Sequence, residues 1–444
     1  MEFFYSLRGI LMALYVKEIR GNVNTEITNE FASNLGTVIG TFLRPEKVAV
    51  VGRDTSIASQ MIKRSITSGI MAAGINVFDC GISPIPAVFY SRNLYDASVV
   101  ITVTASHLHP EDITIKVFSD HKIPLVQKNP ERVPWDMIGQ LSYVHDYIDK
   151  YRNAVVQNVN QEVIRDRYPK VILDCAKGLT TPVTPNILSE LECEMILTGC
   201  QPVDQISRYS EPSPETLSLV SNLVKAVGAD MGIALDNDRD RVVFIDEKGN
   251  IIRDQTILGI FARDALSENP GGKIISSVVA SMSLEEVIKE SGGELIKTPV
   301  DLVLNGVAEN KAIFGGDEPG MYVFPQIHEC FDAIFAAAKM LEIICKNNQH
   351  LSAMAKGLPE YPRTIFSVEC EHDKKEKIMD SLKDVYVHEG ILDCQDGVRV
   401  DWEDSFVLVR PSRFEPLIRV YVESKSPQKL QDISQNVERI IKEI

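Results

Sequence analysis

From Lys47 onward the apolar and polar positions alternate between two grammars. The run KVAVVGRD, residues 47 to 54, is short, apolar and closed by a turn, which predicts a buried strand. Ile57, Met61, Ile62, Ile66 and Ile70 then recur at helical spacing, which predicts an amphipathic helix laying that face on a core. INVFDCG and ASVVITVTAS follow as further strands. Such alternation predicts a mostly parallel sheet covered by helices on both faces. It returns at residues 170–175 and 229–236, and again at 273–281 and 312–320, so three α/β units in series are expected, without a close sequence repeat. The polar, helix-like stretch 143–170 reads as a connector, with a boundary near residue 145. After residue 360 the style changes: RTIFSVECEH, GVRVDWE, SFVLVRPS and LIRVYVES are strand-like, and KKEKIMDSLKDV and LQDISQNVERIIKEI are helical, which predicts a smaller α+β domain.

Bulk properties narrow the functional classes. A chain of 444 residues is long enough for about three domains. Its formal charge of −16 argues against nucleic acid or an anionic membrane as partner, because a phosphate backbone needs clustered Lys and Arg. A small anionic substrate needs only a local basic cleft. The eight cysteines form no C-x-x-C pair and no zinc-spaced cluster, so they read as buried thiols in a reducing, cytoplasmic protein. The apolar run from Gly9 to Val16 is too short to cross a bilayer, and Met12 serves as a start codon as well as Met1.

Four loops carry candidate chemistry. In LDNDRDRV, directly after a predicted strand, Asp236, Asp238 and Asp240 occupy alternate positions and can converge on one hard cation such as magnesium; a solvated acidic turn is the alternative. In VTASHLHPEDITIK, Ser106 stands at the carboxyl end of a strand, where open α/β sheets bind ligands. There it is placed to act as a nucleophile or to carry phosphate, with His107 and Lys116 near enough in sequence to assist. A plain helix cap is the competing reading of Ser106. In LVRPSRFEPLIRVYVE, Arg410, Ser412 and the loop amides form a plausible anion nest, against a solvated hairpin. In FGGDEPG, paired glycines allow close backbone approach, while Asp317 and Glu318 can accept from sugar hydroxyls.

In this order and spacing the four loops resemble the α-D-phosphohexomutase superfamily, the phosphomannomutase and phosphoglucomutase relatives, from about residue 14 to the end. Thr104, Ala105, Ser106 and His107 match the family's T-A-S-H-N-P before Leu108 and His109 depart. Lys116 matches the lysine closing N-G-x-K. Asp236, Asp238, Asp240 and Arg241 match D-G-D-x-D-R, with Asn237 for Gly, a residue that tolerates a left-handed backbone. Ile19, Arg20 and Gly21 are what remains of F-G-T-x-G-I-R-G, whereas VGRDT at 51–55 and the Pro84 and Pro86 pair match well. The substrate loops depart further. In the sugar loop Asp317 stands for Glu, Pro319 for Ser and Met321 for His; in the phosphate loop Arg413 replaces Gly and Phe414 replaces Thr. The segment TPVDL, 298–302, lacks an expected glycine.

The resemblance implies a four-domain α/β architecture, three mixed α/β domains and a smaller α+β C-terminal domain around a central cleft. The domains run 1–144, 145–246, 247–358 and 359–444, each supplying one loop. It implies a phosphosugar mutase, with Ser106 as a phosphoserine that ligates Mg2+ together with Asp236, Asp238 and Asp240. Arg20, His107, Lys116 and Arg241 are then expected to assist catalysis. Gly316, Asp317 and Glu318 would bind sugar, and Arg410, Ser412, Arg413 and Arg419 the distal phosphate. A sugar bisphosphate would act as activator. The expected partners are a sugar phosphate alone, with no nucleic acid or membrane, in a monomer or homodimer. Phosphoglucosamine mutase, phosphopentomutase and a catalytically degenerate sugar-phosphate binder are the alternatives.

Overall fold

The computed structural model describes residues 14–43, 48–106, 111–124, 130–176, 182–199, 216–413 and 415–443. His107, Leu108, His109, Cys200 and Phe414 lie outside the described residues, as do Met1 and Met12. The chain folds as two compact units, one comprising residues 1–252, 307–311 and 319–353, the other 253–306, 312–318 and 354–444. Among the described residues no helix is long and apolar enough to cross a membrane.

The first unit contains a six-stranded sheet whose centre is parallel: Val48–Arg53 lies between Asn76–Ile82 and Val99–Ala105. It is less parallel than the pattern predicts. After Val99–Ala105 the chain turns back on itself as Asp112–Ser119, which pairs antiparallel with that strand and with Tyr15–Asn22. Two adjacent strands joined by a short loop can only be antiparallel, so the loop bearing Ser106 is a hairpin loop. Among the described residues no helix directly follows Ser106, and the next element is the strand Asp112–Ser119.

The predicted helix is Ile57–Ala72. Ile62, Ile66 and Ile70 are buried as expected, but Ile57, at the first turn, is 82% exposed. Helix Asn29–Leu43 packs against it closely enough that a Cβ on Gly36 would lie 2.1 Å from the Ile66 carbonyl oxygen, and one on Gly69 2.0 Å from that of Ser33. Only glycine permits that approach.

A second sheet in this unit places Lys170–Asp174 between the parallel strands Met231–Leu235 and Glu194–Thr198, with Val242–Ile245 antiparallel at its edge. The stretch predicted as a connector is a packed part of this unit. It forms helices Tyr147–Gln157 and Gln161–Arg167, with Tyr151 and Val155 fully buried. Helix Ala333–Asn347, apolar nearly all round, is buried from Ala333 to Cys345, as such a composition requires. Its cap, Asp332, accepts from the Phe335 amide and from the Tyr151 hydroxyl, both at 2.8 Å.

In the second unit Lys273–Ser277 pairs parallel with Glu294–Thr298 and with Phe314–Asp317. The C-terminal part is a five-stranded antiparallel sheet, and helices Lys375–Tyr386 and Pro427–Glu443 contribute to its core. Strand Ser405–Pro411 is buried on both faces. Val407 and Val409 enter the core those helices share, while Phe406 and Leu408 meet Val278 and Val279. Arg399, 1% exposed, locks this second contact: its guanidinium donates to the Val278 and Ala280 carbonyls and lies 3.8 Å from the centre of the Phe406 ring. Among the described residues all the cysteines but Cys394 are buried and none is in a disulfide.

Candidate active site

In the first unit three neighbouring strands bring one row of side chains together. Arg20 lies opposite Thr114, which lies opposite Thr104; one step along, Glu18 lies opposite Lys116, which lies opposite Thr102. Directly opposed residues in an antiparallel sheet project to the same face, as do residues two apart in one strand. These six side chains therefore share one face, at the strand end that leads into Ser106.

The aspartate loop meets that face. Thr104 Oγ1 donates to Asp238 Oδ2 at 3.1 Å, across 134 positions of sequence. Lys116 Nζ donates to Asp240 Oδ2 at 2.5 Å and lies 3.6 Å from Asp238 Oδ2. Ser106, 6% exposed, follows Thr104 by two residues, and its amide donates to the Asp112 carbonyl at 3.0 Å. The loop is not a solvated turn: Asp236, Asp238 and Asp240 are 0%, 3% and 4% exposed. Burial works against the Lys116 ammonium, yet the Asp240 and Asp238 carboxylates outweigh it and raise its pKa.

Several residues that sequence reasoning did not single out hold this arrangement. Asp54, from the turn after the first parallel strand, accepts from the Ala105 amide at 2.7 Å and so fixes the residue before Ser106. Burial raises the Asp54 pKa, while that amide opposes the shift. Arg239 is buried, donates to the Cys175 carbonyl at 2.9 Å and to the Asp236 carbonyl, and carries the loop's left-handed backbone at φ +62°. The left-handed position is therefore Arg239 rather than Asn237, and the tolerance expected of Asn237 is not called on. Gly320 closes the loop's flank: the Val242 amide donates to its carbonyl at 3.0 Å, and a Cβ there would sit 2.4 Å from the Val242 oxygen. Thr104, part of the matched motif, shows its contact with the aspartate loop only once the strand pairing is known.

The three aspartates supply the hard oxygen donors that magnesium takes. Among the described residues no three His, Cys, Asp or Glu side chains stand ready as a metal cage. The cation shared by Asp240 and Asp238 is the Lys116 ammonium, which shows that this pocket of carboxylates is built around positive charge. Arg241 donates its amide to Asp236 Oδ1 at 3.2 Å, and Arg20 is held by Glu18 at 2.8 Å.

Asp317, Glu318 and the loop of Arg410 and Ser412 lie in the second unit. Asp317 ends its parallel strand, is 1% exposed, and accepts at Oδ1 from the Ser277 hydroxyl at 2.7 Å and from the Glu318 amide at 2.9 Å. Glu318 is gripped by Arg363 and by Gln255, each at 2.9 Å. Burial raises the Asp317 pKa to about 7, with the Ser277 bond opposing, the Glu318 charge assisting and Arg410 opposing. The folded state thus binds a proton that the unfolded state has released. Stability from this group is complete below about pH 4 and is lost as pH rises to about 7. Asp317→Asn is expected to flatten the pH dependence of stability across that window, as measured by thermal melts between pH 4 and 8.

Arg410 and Arg419 face each other in the hairpin of Ser405–Pro411 and Leu417–Ser424. Like charges directly opposed destabilise a sheet, so the pair needs compensation, which Asp396 gives Arg410 at 2.8 Å and Glu415 gives Arg419. Arg413, the glycine replacement, pairs with Asp301 of the TPVDL segment, whose Val300 amide donates to Asp396 at 3.1 Å. Beneath the loop the buried Lys375 donates to the carbonyls of Ser412 at 2.6 Å and Glu415 at 2.7 Å. Both bonds hold the loop's backbone in place. Lys375→Met is expected to destabilise the loop by about 1.5–3 kcal/mol, the contribution of charge-assisted hydrogen bonds of this kind, and so to lower the melting temperature. A thermal melt unchanged from the parent's would mean that the lysine is incidental.

With this geometry in place, comparison with known proteins gives a consistent result. Four family models match in series: phosphoglucomutase/phosphomannomutase α/β/α domains I, II and III at residues 12–133, 145–249 and 253–361, and the C-terminal domain at 367–440. A phosphoglucomutase/phosphomannomutase of Thermococcus kodakarensis is 33% identical over 93% of this chain and 95% of its own length. A probable phosphoglucosamine mutase of Methanosarcina acetivorans is 34% identical over 96% and 98%. A solved phosphoglucomutase/phosphomannomutase family protein of Burkholderia thailandensis, 25% identical, superimposes with a TM-score of 0.85 over 97% of both chains. A chain matched from its first sheet to its last helix, in the domain order that its own four loops require, belongs to the phosphoglucomutase/phosphomannomutase family and is a phosphosugar mutase of four-domain α/β architecture.

Proposed function

We propose that the mutase works through a phosphoserine at Ser106 and interconverts the 1- and 6-phosphates of a hexose, glucose or mannose. The observation that supports this is the meeting of the Ser106 strand with the aspartate loop, through Thr104 to Asp238 and Lys116 to Asp240. In the first transfer the bond between phosphorus and Ser106 Oγ breaks as the free sugar hydroxyl bonds to phosphorus, and the hydroxyl proton leaves to a nearby base. The bisphosphate then reorients, and its other phosphoryl group returns to Ser106. The chain's task is to hold and neutralise the transferring group, since phosphoryl transfer depends chiefly on positioning and charge. Lys116, Arg20 and Arg241 bring cationic groups to it; Asp54 fixes the backbone beside it. Asp236, Asp238 and Asp240 would hold Mg2+, which supplies neutralisation of developing phosphoryl charge when bound. Arg410, Ser412, Arg413 and Arg419 would hold the distal phosphate, and Gly316, Asp317 and Glu318 the sugar.

A second substrate, glucosamine phosphate, is supported by relatives named probable phosphoglucosamine mutases, which are 31% and 34% identical to this chain over 96% of it. Conversion assays with glucose, mannose and glucosamine 1-phosphates, each with its bisphosphate and Mg2+, separate the two. Turnover of the glucosamine ester alone overturns the hexose assignment, and binding without conversion of any ester overturns the mutase reaction itself.

A further inference from the structure

We propose that the first unit carries a second anion site, a cavity of about 290 Å³ between helix Ile57–Ala72 and the sheet edge formed by Asn76–Ile82 and Leu141–Tyr143, that takes a phosphate dianion. The cavity belongs to none of the four loops described above. At one end stand Arg53, Lys63 and Arg64 against one carboxylate, Asp79. That carboxylate is already used: Lys63 donates to both its oxygens, and the Gly81 amide donates to Oδ1 at 2.7 Å. Lys63 and Asp79 are 5% and 4% exposed, a buried pair that closes the floor of the cavity.

The two arginines remain. Arg53 bonds to a backbone carbonyl, that of Asp54, at 2.6 Å, and neither Arg53 nor Arg64 has an ion-pair partner among the described residues. In a chain of net charge −16, where most of the other described arginines are paired, two guanidiniums left facing one cavity beside a lysine are an unusual concentration of positive charge. Guanidinium binds phosphate with two parallel hydrogen bonds, and a concave wall of one sign focuses the field on an entering anion.

The other end of the cavity is different. Met71 lies seven residues beyond Arg64, about 10 Å along the helix, and Leu141 lies opposite Val77, two residues before Asp79. This apolar end suits the carbon skeleton of a small ester. The volume sits at the lower limit for ligand pockets, which excludes large nucleotides and admits inorganic phosphate or a short phosphate monoester.

Isothermal titration of the full chain with inorganic phosphate and with glycerol 3-phosphate tests the site, using Arg64→Glu and Arg64→Lys. Arg64 is exposed on its helix and lies outside the mutase machinery, so both variants should fold and keep basal mutase activity within about twofold. The expected result is a class of binding that weakens at least tenfold in Arg64→Glu and stays within about threefold in Arg64→Lys. An Arg410→Ala control, which removes a phosphate-loop ligand, should leave this class in place. Tighter binding of glycerol 3-phosphate than of phosphate assigns the monoester, and equal binding assigns the inorganic ion. Binding that is unchanged in Arg64→Glu, or lost wholly in Arg410→Ala, overturns the proposal.

Discussion

Ser106→Ala is expected to lower kcat/KM by at least about a thousandfold while leaving the melting temperature near that of the parent. Removing a nucleophile that carries the transferred group eliminates the covalent route and leaves only binding and orientation. The hairpin itself should survive, because Ser106 contributes its amide, not its hydroxyl, to the bond with the Asp112 carbonyl, and Asp54 holds Ala105 through the backbone. Intact mass supplies an independent reading: the parent should carry one phosphoryl group after incubation with a sugar bisphosphate, and the alanine variant none. A variant retaining more than a tenth of the activity would refute the assignment of Ser106.

Lys116→Met is the second large effect, and it falls on stability as well as activity. In the folded chain the ammonium lies among carboxylates that are almost wholly buried, with its own side chain 15% exposed. Removing one partner of a buried ion pair leaves the other uncompensated, at a cost of roughly 3–5 kcal/mol. Added Mg2+ should recover part of that loss, because a cation that binds the folded state alone raises its stability by mass action. Thermal melts with and without Mg2+ should therefore show a larger rise in the variant than in the parent. Equal rises would mean that the lysine and the metal do not serve the same carboxylates.

Much of this candidate site is legible in the sequence, and particular residues show why. Asp236, Asp238 and Asp240 announce themselves by spacing, and Ser106 by its place at the end of an apolar run, since side chains alternate along strands and ligands gather where strands end. The competing readings could not be dismissed on the same terms. Whether LDNDRDRV is a solvated turn depends on what covers it. The answer, three aspartates below 5% exposure, comes from segments more than a hundred residues away. The antiparallel return of the chain as Asp112–Ser119, which sets the Ser106 segment beside Thr114 and Lys116, is likewise decided by strand pairing. Ile57 is the converse case, a residue at perfect helical spacing that is exposed because the first turn extends past the core.

Asp54, Arg239 and Lys375 were missed for a common reason. Each acts on main-chain amides or carbonyls of a loop remote from it in sequence, and a backbone group leaves no residue type by which to be recognised. The phosphate hairpin shows the same division. Arg410, Ser412 and Arg419 are visible in the sequence, whereas the opposition of Arg410 to Arg419, and their compensation by Asp396 and Glu415, follow from the folded structure.

By itself the amino-acid sequence determined the alternation of strands and helices in the α/β units, the four chemical loops and the family, because hydrophobic periodicity and loop chemistry are properties of neighbouring residues. Tertiary structure alone decided which charges meet. Lys116 finds Asp240 across 124 positions, Lys63 takes Asp79 and leaves Arg53 and Arg64 to an open cavity, and Asp317 is driven toward neutrality by burial. The physical reason is that burial and ion pairing depend on distance in space, which is set only when the chain closes on itself.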